Sequence, residues 1–325
     1  MPELPEVETT VKGLNESVTG LTIVDTWTDY GSSFHAGKEN IKNKNYFPIF
    51  RREVKGEKIV GAKRRGKNVL IHLSHGKTIL IHMKMTGHLL YGAYRKNPKF
   101  EARNSKKVKN IKINNYWAHE KWIPNEENEL LRDSFNKFIH LVFTLSNKKH
   151  LAFSDMRKFG KVSLLPTIKL QHLPEISHLG PEPLLPVFTL PVFRIAILKK
   201  SKGKIKQVLM DQSVIAGIGN IYSDEILWKS GVHPKSIVTK IRRPVLNKIF
   251  TSMKEILKKG IDFGGDSMSD YRNLVGERGR FQHTHNAYRL TGKSCKKSGC
   301  KGRIERMKIG GRSAHFCNRH QKLYV

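Results

Sequence analysis

Apolar residues recur along this chain in two rhythms, and the places where the rhythm changes divide it. Val7, Val11, Leu14 and Val18 fall at i, i+4, i+7 and i+11, which predicts a helix starting after Pro5 with one buried face. From Leu21 to about Leu90 the pattern becomes short β-branched runs: Thr22 to Trp27, Val54 to Val60, Val69 to Leu73 and Thr78 to Met83, broken by Gly and Asn. Strand patterns resume at His140 to Leu145 and from Leu151 to Leu165. The expected first unit, 1–172, is an antiparallel β-sandwich carrying the N-terminal helix. The Pro-rich stretch 173–186 reads as a linker. Helical spacing follows over 188–200, 205–211, 220–229 with a stop at Gly231, and 244–259 with Gly260 as C-cap. A helical unit over 187–288 and a short tail over 289–325 complete an α+β chain of two domains.

Residues 95–136 interrupt the strand region as an insertion. Arg95, Lys96, Lys99, Arg103, Lys106, Lys107, Lys109 and Lys112 crowd its first half, and Trp117, Trp122 and Phe135 punctuate the rest. A solvated loop fits this pattern, and so does a basic arm with aromatic contacts to nucleic acid.

Charge narrows the partner. The chain carries 60 Lys+Arg against 27 Asp+Glu, a formal net charge of +33. Such an excess suits a polyphosphate, because counterion release rewards any basic surface on nucleic acid. An architectural or ribosomal protein fits the charge as well as an enzyme does. No apolar run of about 18 residues and no basic-then-apolar start occurs, so an intracellular protein without a membrane span is expected.

Three stretches carry chemistry. The chain opens Met1-Pro2-Glu3-Leu4-Pro5-Glu6-Val7-Glu8. Aminopeptidase removal of Met1 leaves Pro2 as a secondary amine that titrates near about 7.7–8.0, well below a lysine, with Glu3 beside it as a proton carrier. The plainer reading is an acidic terminus capping the first helix. Next, Gly217-Ile218-Gly219-Asn220-Ile221-Tyr222 lies between two helical segments with Asn220 in the N-cap position. A helix N-terminus beside a glycine turn is a phosphate site by geometry and dipole, which Lys206 can face; an ordinary αα-hairpin is the alternative.

In the tail, all three cysteines form the series Cys295-x4-Cys300-x16-Cys317-x2-His320, two close pairs separated by a hairpin-length span. That spacing suits one tetrahedral Zn²⁺ with a closed shell, and His315 is a spare ligand. Asp155 to Gly160 puts Arg157 and Phe159 at a strand-to-turn transition, and His82 to Gly87 puts Met85 before a glycine turn. Apolar wedges and an Arg on such loops can fill a duplex when a base leaves the stack, although each alone also fits packing.

Together these motifs resemble the formamidopyrimidine-DNA glycosylase and endonuclease VIII family of DNA repair enzymes, from Pro2 to Gln321. Arg64-Arg65-Gly66-Lys67, Leu179 to Leu184 and Gly264-Gly265 add to the match. The resemblance implies a bifunctional glycosylase acting on an oxidised base in duplex DNA, working as a monomer. Pro2 then matches the Schiff-base nucleophile, Glu3 the acid/base, Lys67 the lysine of lesion handling and β-elimination, and Arg312 the finger arginine of δ-elimination. Met85, Arg157 and Phe159 match the wedge. Asn220, Lys206 and Tyr222 match phosphate or lesion-site residues, and His82 belongs to the same DNA-facing motifs. Cys295, Cys300, Cys317 and His320 match the zinc finger, with His320 where a fourth cysteine is usual. Leu4 points to the formamidopyrimidine branch, whose substrates are oxidised purines; an oxidised-pyrimidine glycosylase and a non-catalytic damage binder are the alternatives. The histidine often found before the strand at His140 is missing, with Asn136 near its place.

Overall fold

The computed structural model describes residues 1–97, 121–125, 128–268 and 270–325. The basic residues from Lys99 to Lys112, and Trp117, lie outside the described residues.

Helix α1 (Leu4–Ser17) starts one residue before Pro5, which sits in the first turn where a missing N–H breaks no helical bond. Its Val7, Val11 and Leu14, with Val18 beyond its end, bury into the sandwich core, whereas Leu4 belongs to the core of the helical half. One helix therefore roots in both cores, and its N-terminus lies at the seam between them. Leu4 N also donates to Gly217 O at 2.9 Å, so the first turn is tied across that seam.

The sandwich has two four-stranded antiparallel sheets. One is ordered β1 (Ile23–Thr28), β8 (Ile139–Leu145), β9 (His150–Asp155), β5 (Gly87–Gly92). The other is ordered β10 (Lys161–Pro166), β4 (Lys77–His82), β3 (Asn68–Leu73), β2 (Ile59–Arg65). Two expectations are corrected. Val54 does not open a strand: Tyr46–Val54 is helix α2, which buries Phe50 and Val54 one turn apart and ends before Gly56 at φ +87°. The Leu151 to Leu165 run is two strands in different sheets, so the Asp155–Gly160 turn crosses the sandwich edge. A short ribbon, β6 (Tyr94–Lys96) with β7 (Trp122–Pro124), closes the base of the insertion, and Trp122 packs on Trp27 with centroids 5.9 Å apart.

The connecting stretch folds as a short helix α3 (Pro174–Ser177), and then leads to α4 (Leu190–Leu198), α5 (Ile205–Met210), α6 (Asn220–Ser230) and α7 (Arg243–Asp262). Gly231, at φ +72°, ends α6 as its left-handed C-cap. Gly260 is not a cap. It lies inside α7, where an added Cβ would sit 2.5 Å from the Tyr222 ring, and the chain turns only at Gly264, φ +70°. The tail forms the hairpin β11 (Ile304–Ile309) and β12 (Arg312–Cys317) around Gly310-Gly311, both at positive φ. No helix among the described residues is long and apolar enough to cross a membrane.

Candidate active site

Pro2 and Glu3 are buried at the seam, and Glu3 explains why. Its carboxylate accepts the backbone N–H of Gly219 at 2.8 Å, of Ile221 at 3.0 Å and of Tyr222 at 3.4 Å. These are the donors that the start of α6 leaves without helical partners, and the helix dipole favours an anion there. The expected phosphate site at this turn is therefore filled by a side chain from the other domain. Gly219, not Asn220, is the N-cap, and a Cβ on Gly219 would collide with the Glu3 carboxyl group. Asn220 is the first helical residue, partly exposed, with its side-chain oxygen unpaired.

Glu6, which the sequence did not single out, completes the arrangement. Its carboxylate accepts from Glu3 N, Tyr222 Oη and Asp266 N, each at 2.7 Å. Burial, aided by the charge of Glu3, pushes its pKa up to about 7. Pro2, Glu6, Met85, Ile221, Asp266 and Tyr271 bound a cleft of about 20 Å³. Met1 also lines this cleft, and with Met1 in place it holds about one water and no nucleobase.

Lys67 comes from the β2–β3 turn. Burial pushes its ammonium below the ordinary lysine range; Glu3 and Glu6 oppose the shift, and the Arg312 charge adds to it. Those interactions place Lys67 within electrostatic reach of Glu3, Glu6 and the exposed hairpin-tip Arg312. The turn is held by Glu182, which accepts from Arg64 at 2.6 Å, Arg65 at 3.1 Å and Gly66 N at 2.6 Å. The Pro-rich connection is thus the brace of the Lys67 turn.

The two wedge turns are linked through Asp155. Thr86 Oγ1 donates to Asp155 Oδ1 at 2.5 Å and accepts from Arg157 N at 3.1 Å, while Asp155 Oδ2 accepts from Gly160 N at 2.7 Å. This sets half-buried Met85 beside exposed Arg157 and Phe159, whose guanidinium and ring stack at 4.5 Å. His82 is half-buried, and burial lowers its pKa to about 3, so the ring is neutral.

Two expected contact residues are not at the surface. Lys206 is fully buried and bonds Asp224 at 2.5 Å, and Asp224 also accepts the backbone N–H and Nδ1 of His315, each at 3.0 Å. Lys206 therefore supports the finger hairpin from inside, and His315 is its docking point, not a spare metal ligand. Tyr222 is fully buried against Phe281, with its hydroxyl given to Glu6. Asn136 is also buried and bonds the His88 ring at 2.9 Å.

The Cys295, Cys300, Cys317 and His320 ligand atoms all lie within 4.8 Å of one another. The Cys300–Cys317 sulfur separation is 3.6 Å and the Cys295 Sγ–His320 Nδ1 separation is 3.2 Å, edges of the size a tetrahedral ion requires. His320 Nε2 donates to Trp228 O at 2.9 Å, which leaves the Nδ1 lone pair facing the cluster. The set fits one metal ion.

Comparison with known proteins agrees with this geometry. A family model described as the formamidopyrimidine-DNA glycosylase N-terminal domain matches residues 1–162, and one described as the H2TH domain of the same enzymes matches 179–272. The formamidopyrimidine-DNA glycosylase of Desulforamulus reducens is 32% identical over 99% of both chains. That of Carboxydothermus hydrogenoformans is 35% identical over 99% of this chain and 100% of its own. Among solved structures, the Lactococcus lactis Fpg bound to an abasic site containing DNA aligns with TM-score 0.75 at 27% identity, covering 98% of this chain and 99% of that one. MutM in complex with carbocyclic 8-oxo-G containing DNA aligns with TM-score 0.75 at 27% identity over 99% and 100%. With both halves matched in order and full-length relatives above thirty per cent identity, this chain belongs to the formamidopyrimidine-DNA glycosylase family of DNA repair enzymes.

Proposed function

We propose that the chain is a bifunctional DNA glycosylase and AP lyase that removes oxidised purines, 8-oxoguanine and formamidopyrimidines, from duplex DNA through a Schiff base on Pro2. The observation that carries this reading is the burial of Pro2 and Glu3 at the seam of the two domains, where the amides of Gly219, Ile221 and Tyr222 hold the Glu3 carboxylate beside the Pro2 cleft, with Lys67 buried under the influence of the Glu3 and Glu6 charges. Once Met1 is removed, the Pro2 nitrogen attacks C1′ as the glycosidic bond breaks and the base leaves with a proton. Glu3 takes the proton that the Pro2 nitrogen sheds on bonding to C1′ and passes it to the ring oxygen, the sugar opens, and the secondary amine yields an iminium that is already cationic. The iminium acidifies C2′; loss of that proton expels the 3′ phosphate, and a second elimination, assisted by Arg312, expels the 5′ phosphate. Lys67, with its pKa lowered by burial, is suited to moving protons in these steps.

Met85, Arg157 and Phe159 fill the gap left by the everted nucleotide, and His82 and Asn220 face its phosphates. Leu4 supports the oxidised-purine branch over the oxidised-pyrimidine one. The same reading assigns catalysis to 1–172, the duplex grip to 187–288 and the finger to 289–325.

The test is borohydride trapping. Duplex containing 8-oxoguanine opposite cytosine is expected to give a covalent adduct, greatly reduced in Pro2→Gly. Adducts only with oxidised pyrimidines would move the substrate assignment. No adduct with any oxidised base or abasic site would leave a damage binder, and equal affinity for undamaged duplex would leave an architectural protein.

Cys295, Cys300, Cys317 and His320 hold Zn²⁺ in this proposal. The ion stiffens the hairpin that carries Arg312, at a binding free energy on the order of 10 kcal/mol in finger peptides. Elemental analysis should find one zinc per chain, reduced in His320→Ala together with DNA affinity. A zinc-free protein that binds DNA normally would refute the assignment.

A further inference from the structure

None of the described residues of the insertion enters the chemistry above, yet its last residues grip the wall of the Pro2 cleft. Tyr271, which bounds that cleft, begins a strap that crosses from the helical half into the sandwich. Tyr271 Oη donates to Glu6 O at 2.9 Å. Leu274 is buried in the sandwich core, and its carbonyl accepts Tyr91 N at 2.7 Å. Gly276, at φ +91°, passes so close to Leu130 that a Cβ would lie 2.7 Å from the Leu130 carbonyl oxygen.

Between these anchors sits Arg272, a fully buried arginine. It donates to both carboxylate oxygens of Asp133 at 3.0 Å, to Asp133 Oδ2 again through Nε at 3.2 Å, and to Tyr271 O at 2.9 Å. Its guanidinium lies 4.8 Å from the centroid of the Phe135 ring. Asp133 caps the turn Ser134–Asn136 through Phe135 N at 2.9 Å, and Asn136 in turn donates to Leu130 O at 2.9 Å. A planar guanidinium with a bidentate carboxylate and an aromatic face is held in one orientation, which a lysine cannot reproduce. Asn273, Gly276, Glu277 and Asp133 also line a hollow of about 1090 Å³ among the described residues.

We infer that Arg272 and Asp133 form a clasp by which the end of the insertion fixes the Tyr271 wall of the base pocket, making Arg272 and Asp133 positioning residues for base removal. This rests on the glycosylase reading above. With the Tyr271 wall clasped, the cleft opens where Met1 is removed and on the side of Met85 and Ile221. The clasp acts on a substrate that carries a base. A preformed abasic site has no base to hold, so its cleavage is independent of the clasp.

The experiment compares Asp133→Asn, Arg272→Lys and wild type in two arms. In single-turnover assays, Asp133→Asn should slow excision of 8-oxoguanine by roughly ten- to a hundredfold, the scale of a small misplacement, and leave cleavage of a preformed abasic site at the wild-type rate. Arg272→Lys, which keeps the charge and loses the fork, should fall between. In hydrogen exchange, the amides of 271–276 should exchange faster in Asp133→Asn while those of β8 and β9 stay protected. Excision and abasic cleavage falling together, or exchange in the strap staying at the wild-type level, would overturn the clasp. A wild type that cuts neither substrate would refute the glycosylase reading, and the exchange arm would still decide the clasp.

Discussion

Protein that retains Met1 behind an N-terminal extension gives no borohydride adduct and no strand cleavage, while its affinity for duplex carrying an abasic-site analogue changes by less than about tenfold, or 1.4 kcal/mol. The physical reason is the Met1–Pro2 bond. In a tertiary amide the nitrogen lone pair is shared with the carbonyl, so it is neither basic nor nucleophilic. The groups that would grip the duplex, such as Arg157, Phe159 and Arg312, are exposed and lie on other elements. The loss should be more complete than in Pro2→Gly, which still presents a primary amine. Gel trapping checks this on two preparations whose N-termini are verified by mass spectrometry. Equal trapping by the Met1-retaining protein would dismiss Pro2 as the nucleophile.

Replacing Lys206 by Met costs about 3–5 kcal/mol of folding stability, because it strands Asp224 without its buried cation. Asp224 keeps its bonds to His315, so the carboxylate stays held in a site with 0% exposure. A surface lysine on a phosphate behaves differently: its removal leaves stability nearly unchanged and lowers the salt slope of DNA binding by about one. Urea unfolding together with a salt titration of DNA affinity separates the cases. The buried pair predicts a lower denaturation midpoint and an unchanged slope; the reverse outcome would return Lys206 to the DNA surface.

What could be read from the sequence follows the range of the interactions involved. Val7, Val11, Leu14 and Val18, the strand runs at Val69 and Thr78, and the cysteine series express local periods and spacings, and the elements formed where those periods ran. Helix α2 was missed because Phe50 and Val54 are spaced one helical turn apart in a segment whose other residues suit a strand end equally well. The turn at Gly217–Tyr222 was recognised as an anion site, but sequence spacing cannot say which anion arrives, and a carboxylate 216 positions away arrives first. Glu182 and Asp155 lie in motifs the sequence marks, and Asp224 does not, but for the same reason none of the three has a role legible there. Their importance lies in partners such as Arg64, Tyr30 and His315, separated from them by 118, 125 and 91 positions. Arg272 carried no local signal either, since a buried arginine is legible only once Asp133 and Phe135 surround it.

The placement of Glu3 has a consequence for how the molecule fails. Its carboxylate is oriented by amides that belong to the opposite half of the chain, and the first turn beside it is anchored to Gly217. Any event that parts the halves, such as heat, denaturant or a cut in the connecting stretch, dissolves the reagent geometry before either core melts. Inactivation should therefore precede global unfolding on a denaturant scale, and a fragment ending before Pro174 would be folded yet inert. On the proposed function, the proton carrier that the Pro2 amine needs is in this way assembled only in the intact, docked molecule.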